Sequence, residues 1–193
     1  MKIGVLALQG AFREHIRMLT SLGVETSELR LPQDLSSLDA VIIPGGESTT
    51  MGKLAAMYGL IDPLRVFAQA KPVWGTCAGM ILMAKDIGRD QPLLGVMNIV
   101  VERNAFGRQQ ESFETDLYVD VLQDGNSKPF PGVFIRSPRL TEVKGCAKVV
   151  AALPDGTGVA AVENRLLVSA FHPELTEDTR FHQYFLSLIR NSV

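Results

Sequence analysis

The sequence predicts an α/β fold of three layers, in which a mixed sheet with a parallel core and antiparallel additions lies between helices. Three observations carry this. Over the first half, apolar β-type runs alternate with helix-period stretches in βαβα order, the pattern of a parallel sheet covered on both faces. Over the second half, short strand-like segments follow one another, separated by Gly, Pro and Asp turns such as Pro154-Asp155-Gly156. A length of 193 residues, 46% hydrophobic and 21% charged, suits one globular domain over residues 1–193 with a substantial core.

Each element has a local reason. Ile3 to Leu8 is an apolar run of β type, and Phe12, Ile16 and Leu19 then share one face of a helix from about Ala11 to Leu22, which Gly23 ends. Val24 to Leu31 reads as a second strand. Asp39 to Ile43 is a short buried strand closed by Pro44-Gly45-Gly46. Ser48 is placed to cap a helix through Met51, Leu54, Ala55 and Tyr58, and Asp62-Pro63 starts another with proline at the favoured first position. Pro72 to Gly75 is a strand and Ala78 to Lys85 the helix after it. Strand candidates follow at Val96 to Arg103, Glu114 to Val121, Val133 to Arg136, Ala147 to Leu153, Gly158 to Glu163 and Arg165 to Ala170. A final helix from about Glu177 to Arg190 carries Phe181, Phe185, Leu188 and Ile189 on one stripe.

Composition narrows the function classes. A net charge of −2 with interspersed charges and no polybasic block gives no basis for binding nucleic acid or an acidic membrane surface. No apolar run approaches the roughly 18 residues of a membrane span. The N-terminus reads as a first strand rather than a signal peptide. Two cysteines in dissimilar contexts do not suggest a disulfide framework, so a reducing cytoplasm is the expected setting. Neither a metal nor a bound cofactor is indicated, and no lysine stands in a context for a Schiff base.

The most informative stretch is Pro72-Val73-Trp74-Gly75-Thr76-Cys77-Ala78-Gly79-Met80. It is a G-x-C-x-G form of the strand-to-helix turn that lifts a nucleophile above a sheet. The glycines permit the tight turn, and the helix N-terminus favours a thiolate. A lone cysteine is more often a small core residue. Here the flanking glycines and the strand-turn-helix context favour a nucleophile. Cys146, in Val143 to Lys148, has neither feature and reads as structural.

A cysteine nucleophile needs a base, and the base an orienting group. His172 follows the apolar run Leu166 to Phe171, which puts it at a strand's carboxyl edge, where sites form in open α/β sheets. Pro173 restrains the backbone between His172 and Glu174, a carboxylate suited to hold one imidazole nitrogen while the other faces sulfur. His15, beside Arg13 and Glu14, and His182, on the last helix, read as surface histidines. Gly45-Gly46 at a strand end, with the Ala78 N–H, are candidates for an oxyanion hole. The same glycines also read as an ordinary turn before a capped helix. Gln9-Gly10 ends the first strand at the same edge and is within reach of the site.

These motifs together resemble the class I (triad) glutamine amidotransferases, and within them the glutaminase subunits of pyridoxal 5′-phosphate synthases. Gly75-Thr76-Cys77-Ala78-Gly79 and His172-Pro173-Glu174 mark the superfamily. The sharper signals are Leu8-Gln9-Gly10, Arg13-Glu14-His15, Pro44 to Thr50, Val101 to Gln109 (V-E-R-N-x-F-G-R-Q), Phe134 to Pro138, and Phe171 to Thr176. The departures are a longer stretch at Gly145 to Pro154 and Ser137 in place of a small apolar residue. The resemblance implies a flavodoxin-like three-layer fold, a Cys77, His172, Glu174 triad, and glutamine contacts from Gly46, Glu47, Ser48, Arg103, Ile135 and Arg136. It implies L-glutamine as substrate and a (β/α)₈-barrel pyridoxal 5′-phosphate synthase subunit as partner in a large hetero-oligomer. Two other readings stay open at this stage. One is a triad subunit serving a different synthase, such as imidazole glycerol phosphate synthase. The other is a non-catalytic interaction module with Cys77 buried.

Overall fold

Parallel strands dominate the first half of the chain in the computed structural model, which describes residues 1–103 and 112–191. In chain order these residues form strand β1 (Lys2–Leu6), helix α1 (Phe12–Ser21), β2 (Glu25–Leu29), β3 (Ala40–Ile43), α2 (Ser48–Met57), α3 (Ile61–Ala70), β4 (Val73–Thr76), α4 (Ala78–Met83) and β5 (Ala84–Asp86). Every residue of β3 and β4 is buried, so these strands read as continuous apolar runs rather than alternating ones. The second half supplies β6 (Met97–Glu102), β7 (Ser112–Leu117), β8 (Phe130–Ile135), β9 (Arg139–Val143), β10 (Lys148–Ala152), β11 (Gly158–Glu163), β12 (Leu166–Ser169) and α5 (Arg180–Arg190).

Among the described residues, ten strands form one mixed sheet in the order β2-β1-β3-β4-β12-β11-β9-β6-β5, with β10 paired on β11. β2, β1, β3, β4 and β12 pair in parallel. β11 runs antiparallel to its neighbours β12, β9 and β10. The expected parallel core with antiparallel additions is therefore present. β7 and β8 depart from it, forming a separate two-stranded antiparallel ribbon. β9 carries no strand signal in the sequence because only Leu140 of its five residues is buried, too little to impose a period of two. The helix expected to run through Lys85 stops at Met83, since Ala84 and Asp86 pair with β6 instead.

The two helical layers can be read from adjacent residues of β4, whose side chains point to opposite faces. Trp74 meets His15 of α1 and Phe181, His182 and Phe185 of α5. Gly75 on the other face abuts Gly79 of α4, which in turn contacts α2. Phe171 continues the aromatic core by meeting Phe130, Phe134 and Phe181, all fully buried or nearly so. Burying each such ring stabilises the fold by roughly 1.5–3 kcal/mol relative to exposure. No helix among the described residues is long and apolar enough to cross a membrane.

Candidate active site

The carboxyl ends of β1, β3, β4 and β12 meet at one edge of the sheet, and Cys77 stands there. Its backbone is left-handed, with φ of 48° and ψ of −105°. Two close approaches shape this turn. A Cβ on Gly75 would come 2.5 Å from the Gly79 carbonyl carbon, and one on Gly79 would run into the Ile43 carbonyl oxygen. Only hydrogen fits at either position. The Cys77 N–H donates to the Ser169 carbonyl at 2.8 Å, tying the turn to the end of β12.

His172 follows three residues after β12, and its N–H donates to the Val133 carbonyl of β8 at 2.8 Å. Its Nδ1 lies 2.7 Å from Glu174 Oε1. Glu174 sits in the one-turn helix Pro173–Leu175, buried beneath the imidazole. With Nδ1 held by the carboxylate, Nε2 is left for sulfur. Burial disfavours charge on His172, but the neighbouring Cys77 sulfur and the Glu174 carboxylate bonded to its Nδ1 more than offset this and raise its pKa to about 10. Burial likewise pushes Glu174 up, and the imidazoles of His15 and His172 more than reverse this, holding it below the usual carboxylate range.

A pocket of about 310 Å³ opens above Cys77. Gln9, Gly46, Glu47, Ser48, Ala78, Arg103, Ile135, Arg136 and His172 line it, so nearly every sequence-predicted site residue is brought together. Two lie behind the wall instead. Glu174 is buried under His172, and Gly45 presses its Cα against that ring, where a Cβ would meet Cε1 and stand 3.0 Å from Nδ1. Ile81 also lines the pocket, and sequence reasoning missed it. It follows Cys77 by four residues, which puts it on the same helix face, and that spacing is the signal that would have found it.

Several polar roles differ from the sequence expectation. Ser48 does not cap α2. The cap is Glu47, whose carboxylate accepts from Thr49 N at 3.0 Å and Thr50 N at 2.7 Å. Burial is the largest single influence and raises Glu47, yet these hydrogen bonds and that of the Thr50 hydroxyl together pull it down to about 2. The Ser48 hydroxyl is instead buried with no hydrogen-bond partner among the described residues. Arg103 Nη2 lies 3.0 Å from Glu47 Oε1, and its Nη1 reaches Thr49 and Gln91. Gln9 Oε1 accepts from Glu47 N at 2.8 Å, bracing the loop after β3. The Gly45 carbonyl accepts from Ala11 N at 3.0 Å, so the Gly46 N–H, trans across that peptide, faces away from Ala11. Asn104 to Gln109 of the V-E-R-N-x-F-G-R-Q motif lie outside the described residues.

The histidines bring a correction. His15 and His182 are fully buried, not surface residues. His15 precedes Leu19 by four, and His182 precedes Phe185, Leu186 and Ile189 by three, four and seven, so both sit on apolar stripes that charged neighbours obscured. Ser137, the other oddity of the sequence, is buried with its hydroxyl accepting from Ile135 N at 3.1 Å, at the pocket wall.

The chain is similar to known proteins over nearly its whole length. The sequence model of a family described as the SNO glutamine amidotransferase family matches residues 5–191. A Herpetosiphon aurantiacus protein named pyridoxal 5′-phosphate synthase subunit PdxT is 53% identical over 97% of this chain and 100% of its own. A Dehalococcoides mccartyi protein of the same name is 52% identical over 99% of this chain and 98% of its own. A crystal structure described as a glutamine amidotransferase superposes with a TM-score of 0.91 at 49% identity, covering 97% of this chain and 98% of that one. PurLQS from Thermotoga maritima, at 17% identity and TM-score 0.71 over 96% of this chain and 97% of that one, shares the fold.

Proposed function

The chain belongs to the SNO glutamine amidotransferase family, and from that premise we propose that it is the glutaminase subunit of a pyridoxal 5′-phosphate synthase. A single domain over residues 1–193 hydrolyses L-glutamine to L-glutamate and ammonia in the cytoplasm. It delivers the ammonia to a (β/α)₈-barrel synthase subunit within a large hetero-oligomer. The observation that carries this reading is Cys77 and His172 lining one pocket, with the buried Glu174 carboxylate 2.7 Å from the imidazole Nδ1.

Glutamine enters with its carboxamide over Cys77. The sulfur, its proton held by His172, attacks the carboxamide carbon, and the carbonyl electrons move to oxygen. The Gly46 and Ala78 N–H groups, around Gly45, receive that oxyanion. His172 gives its proton to the departing nitrogen and ammonia leaves, which forms a γ-glutamyl thioester. His172 then takes a proton from water, hydroxide adds to the thioester carbon, and collapse releases glutamate and restores the sulfur. Glu174 keeps the imidazole in the required tautomer and supports its cationic form.

The other end of glutamine is a zwitterion. The Glu47–Arg103 pair at the pocket wall offers the complementary order of charges, carboxylate for the ammonium and guanidinium for the carboxylate. Arg136 and the backbone around Ile135 close the opposite wall, and the orphaned Ser48 hydroxyl finds a partner in the bound amino acid. The test is glutamate release by the purified chain, alone and with the synthase subunit, with Cys77→Ala as control. Slow turnover alone, faster turnover with the partner and none without Cys77 are expected. Equal rates with and without the partner would remove the synthase assignment, and activity in Cys77→Ala would remove the triad.

A further inference from the structure

Glu174 Oε1 is committed to His172, but Oε2 is buried with no hydrogen-bond partner among the described residues. With that oxygen unbonded, the orientation of the carboxylate depends on what stands beside it, and a rotation would release the imidazole it orients. His15 Nε2 stands 3.4 Å from that oxygen, with both side chains inaccessible to solvent. We propose that His15, itself aimed by His182, is a positioning residue that fixes the Glu174 carboxylate and through it the orientation of His172. The inference rests on the triad reading above.

The tautomers follow from the hydrogen bonds. His15 Nδ1 and His182 Nε2 are 3.0 Å apart, so one donates and the other accepts. His182 Nδ1 is buried without a partner among the described residues. An isolated N–H donor there costs more than an isolated lone pair, because the proton loses a strong bond to water. The proton of His182 therefore sits on Nε2 and donates to His15 Nδ1. His15 then carries its proton on Nε2, the atom that faces Glu174 Oε2 and lies 3.1 Å from Thr76 Oγ1. Both rings are neutral. Burial, opposed in part by Glu174, lowers His15, and burial with His15 lowers His182 well below the usual range.

Two neutral imidazoles thus form a line of dipoles with the N–H end toward the carboxylate. They favour the ionised Glu174 without adding a competing cation beside His172. The packing makes the line rigid. His15 meets Trp74 edge-on at 5.6 Å between centroids, and His182 meets the same indole at 4.9 Å. Thr76 immediately precedes Cys77, so the ring that stands beside the base's carboxylate is hydrogen-bonded to the nucleophile's strand. A histidine kept only for packing would need neither the polar line nor its direction.

The experiment compares His15→Leu, His15→Gln and His15→Asn in the full chain, with the synthase subunit present in the turnover assay. Gln places an amide nitrogen near the position of Nε2, and Asn near that of Nδ1. His15→Leu and His15→Asn are expected to lower kcat about 10- to 100-fold with little change in KM, the penalty of a misdirected base. His15→Gln is expected to recover most of the loss. Alkylation of Cys77 by iodoacetamide, which needs no glutamine, should slow in the same order. Wild-type kcat and alkylation in His15→Leu or His15→Asn would overturn the proposal, as would equal losses in Gln and Asn variants that fold alike. If His15→Leu does not fold, the Gln and Asn pair carries the test. His172→Ala separates the two readings. If it leaves turnover and alkylation unchanged, the triad itself is wrong and this inference falls with it. If it slows both while the His15 variants match wild type, only this inference falls.

Discussion

Arg103 Nη2 lies 3.0 Å from Glu47 Oε1, which joins the end of β6 to the cap of α2 across the mouth of the pocket. Glu47 thus serves the fold and the site at once. Glu47→Ala removes the cap, at a cost of about 1 kcal/mol, and frees Arg103 from its partner. KM for glutamine should rise about 10-fold, the worth of one charge-assisted contact, with kcat changing less. The carboxylate is held at about 2 against an ordinary 4.5, so its contribution is complete above 4.5 and fades as pH falls toward 2. Thermal melts of wild type and Glu47→Gln should therefore converge as the solution is acidified. Because Glu47 is half exposed, the gap at neutral pH will be modest.

Gly45 tests the wall behind the base. A Cβ there would strike His172 Cε1 and also approach Cys77 Cβ to 3.3 Å. Gly45→Ala should leave the fold intact, since the imidazole is the movable party, but push the ring off its line to sulfur. A displacement of that kind costs on the order of 100-fold in kcat. Far-UV circular dichroism close to wild type alongside that loss is the expected pair of results. Wild-type kcat would mean that His172 reaches the sulfur from another rotamer.

Gly79 tests the elbow, where the obstruction is backbone. Its Cβ would meet the Ile43 carbonyl oxygen and lie 2.9 Å from the carbonyl carbon. Neither group can swing aside without disturbing β3. Gly79→Ala should lose about 3 kcal/mol or more, at the upper end for overpacking, read as a lowered midpoint in urea. An unchanged midpoint would show that α4 can slide away from β3.

Much of this was legible in the sequence, and what was not has identifiable causes. Cys77 and His172 declared themselves because both follow fully buried strands, β4 and β12, whose uninterrupted apolar runs mark the sheet edge. Glu174 was fixed by its two-residue offset across Pro173. Strand β9 was invisible because a single buried Leu140 gives no periodicity. The capping role of Glu47 was hidden by Ser48, the better capping residue type, which the turn sends inward to the pocket. The buried histidines were missed because Arg13 and Glu14 suggested a solvated face, whereas His15 faces the core and meets His182 from a helix at the far end of the chain. Contacts of that kind depend on which helices share a layer, a property of strand order that local patterns do not carry.

The imidazole of His172 should report directly on its partners. Burial works against its charge, while Cys77 and Glu174 raise it from 6.5 to about 10. The sign follows from linkage. The stabilisation is complete below 6.5 and is lost as pH rises through about 10. Cys77→Ala removes the sulfur beside the imidazole, so His172 should titrate at lower pH and the variant should lose this stabilisation earlier on the alkaline side. The Cε1–H resonance in a pH series measures it. Assignment is simple because His15 and His182, the two remaining histidines, are pushed down by burial and stay neutral above 6.5. A step well above neutral in wild type that moves down in Cys77→Ala would establish a sulfur–imidazole pair in the resting protein. A step near 6.5 in both would mean that the two side chains do not interact before substrate binds, and His172 would lose its claim as the base.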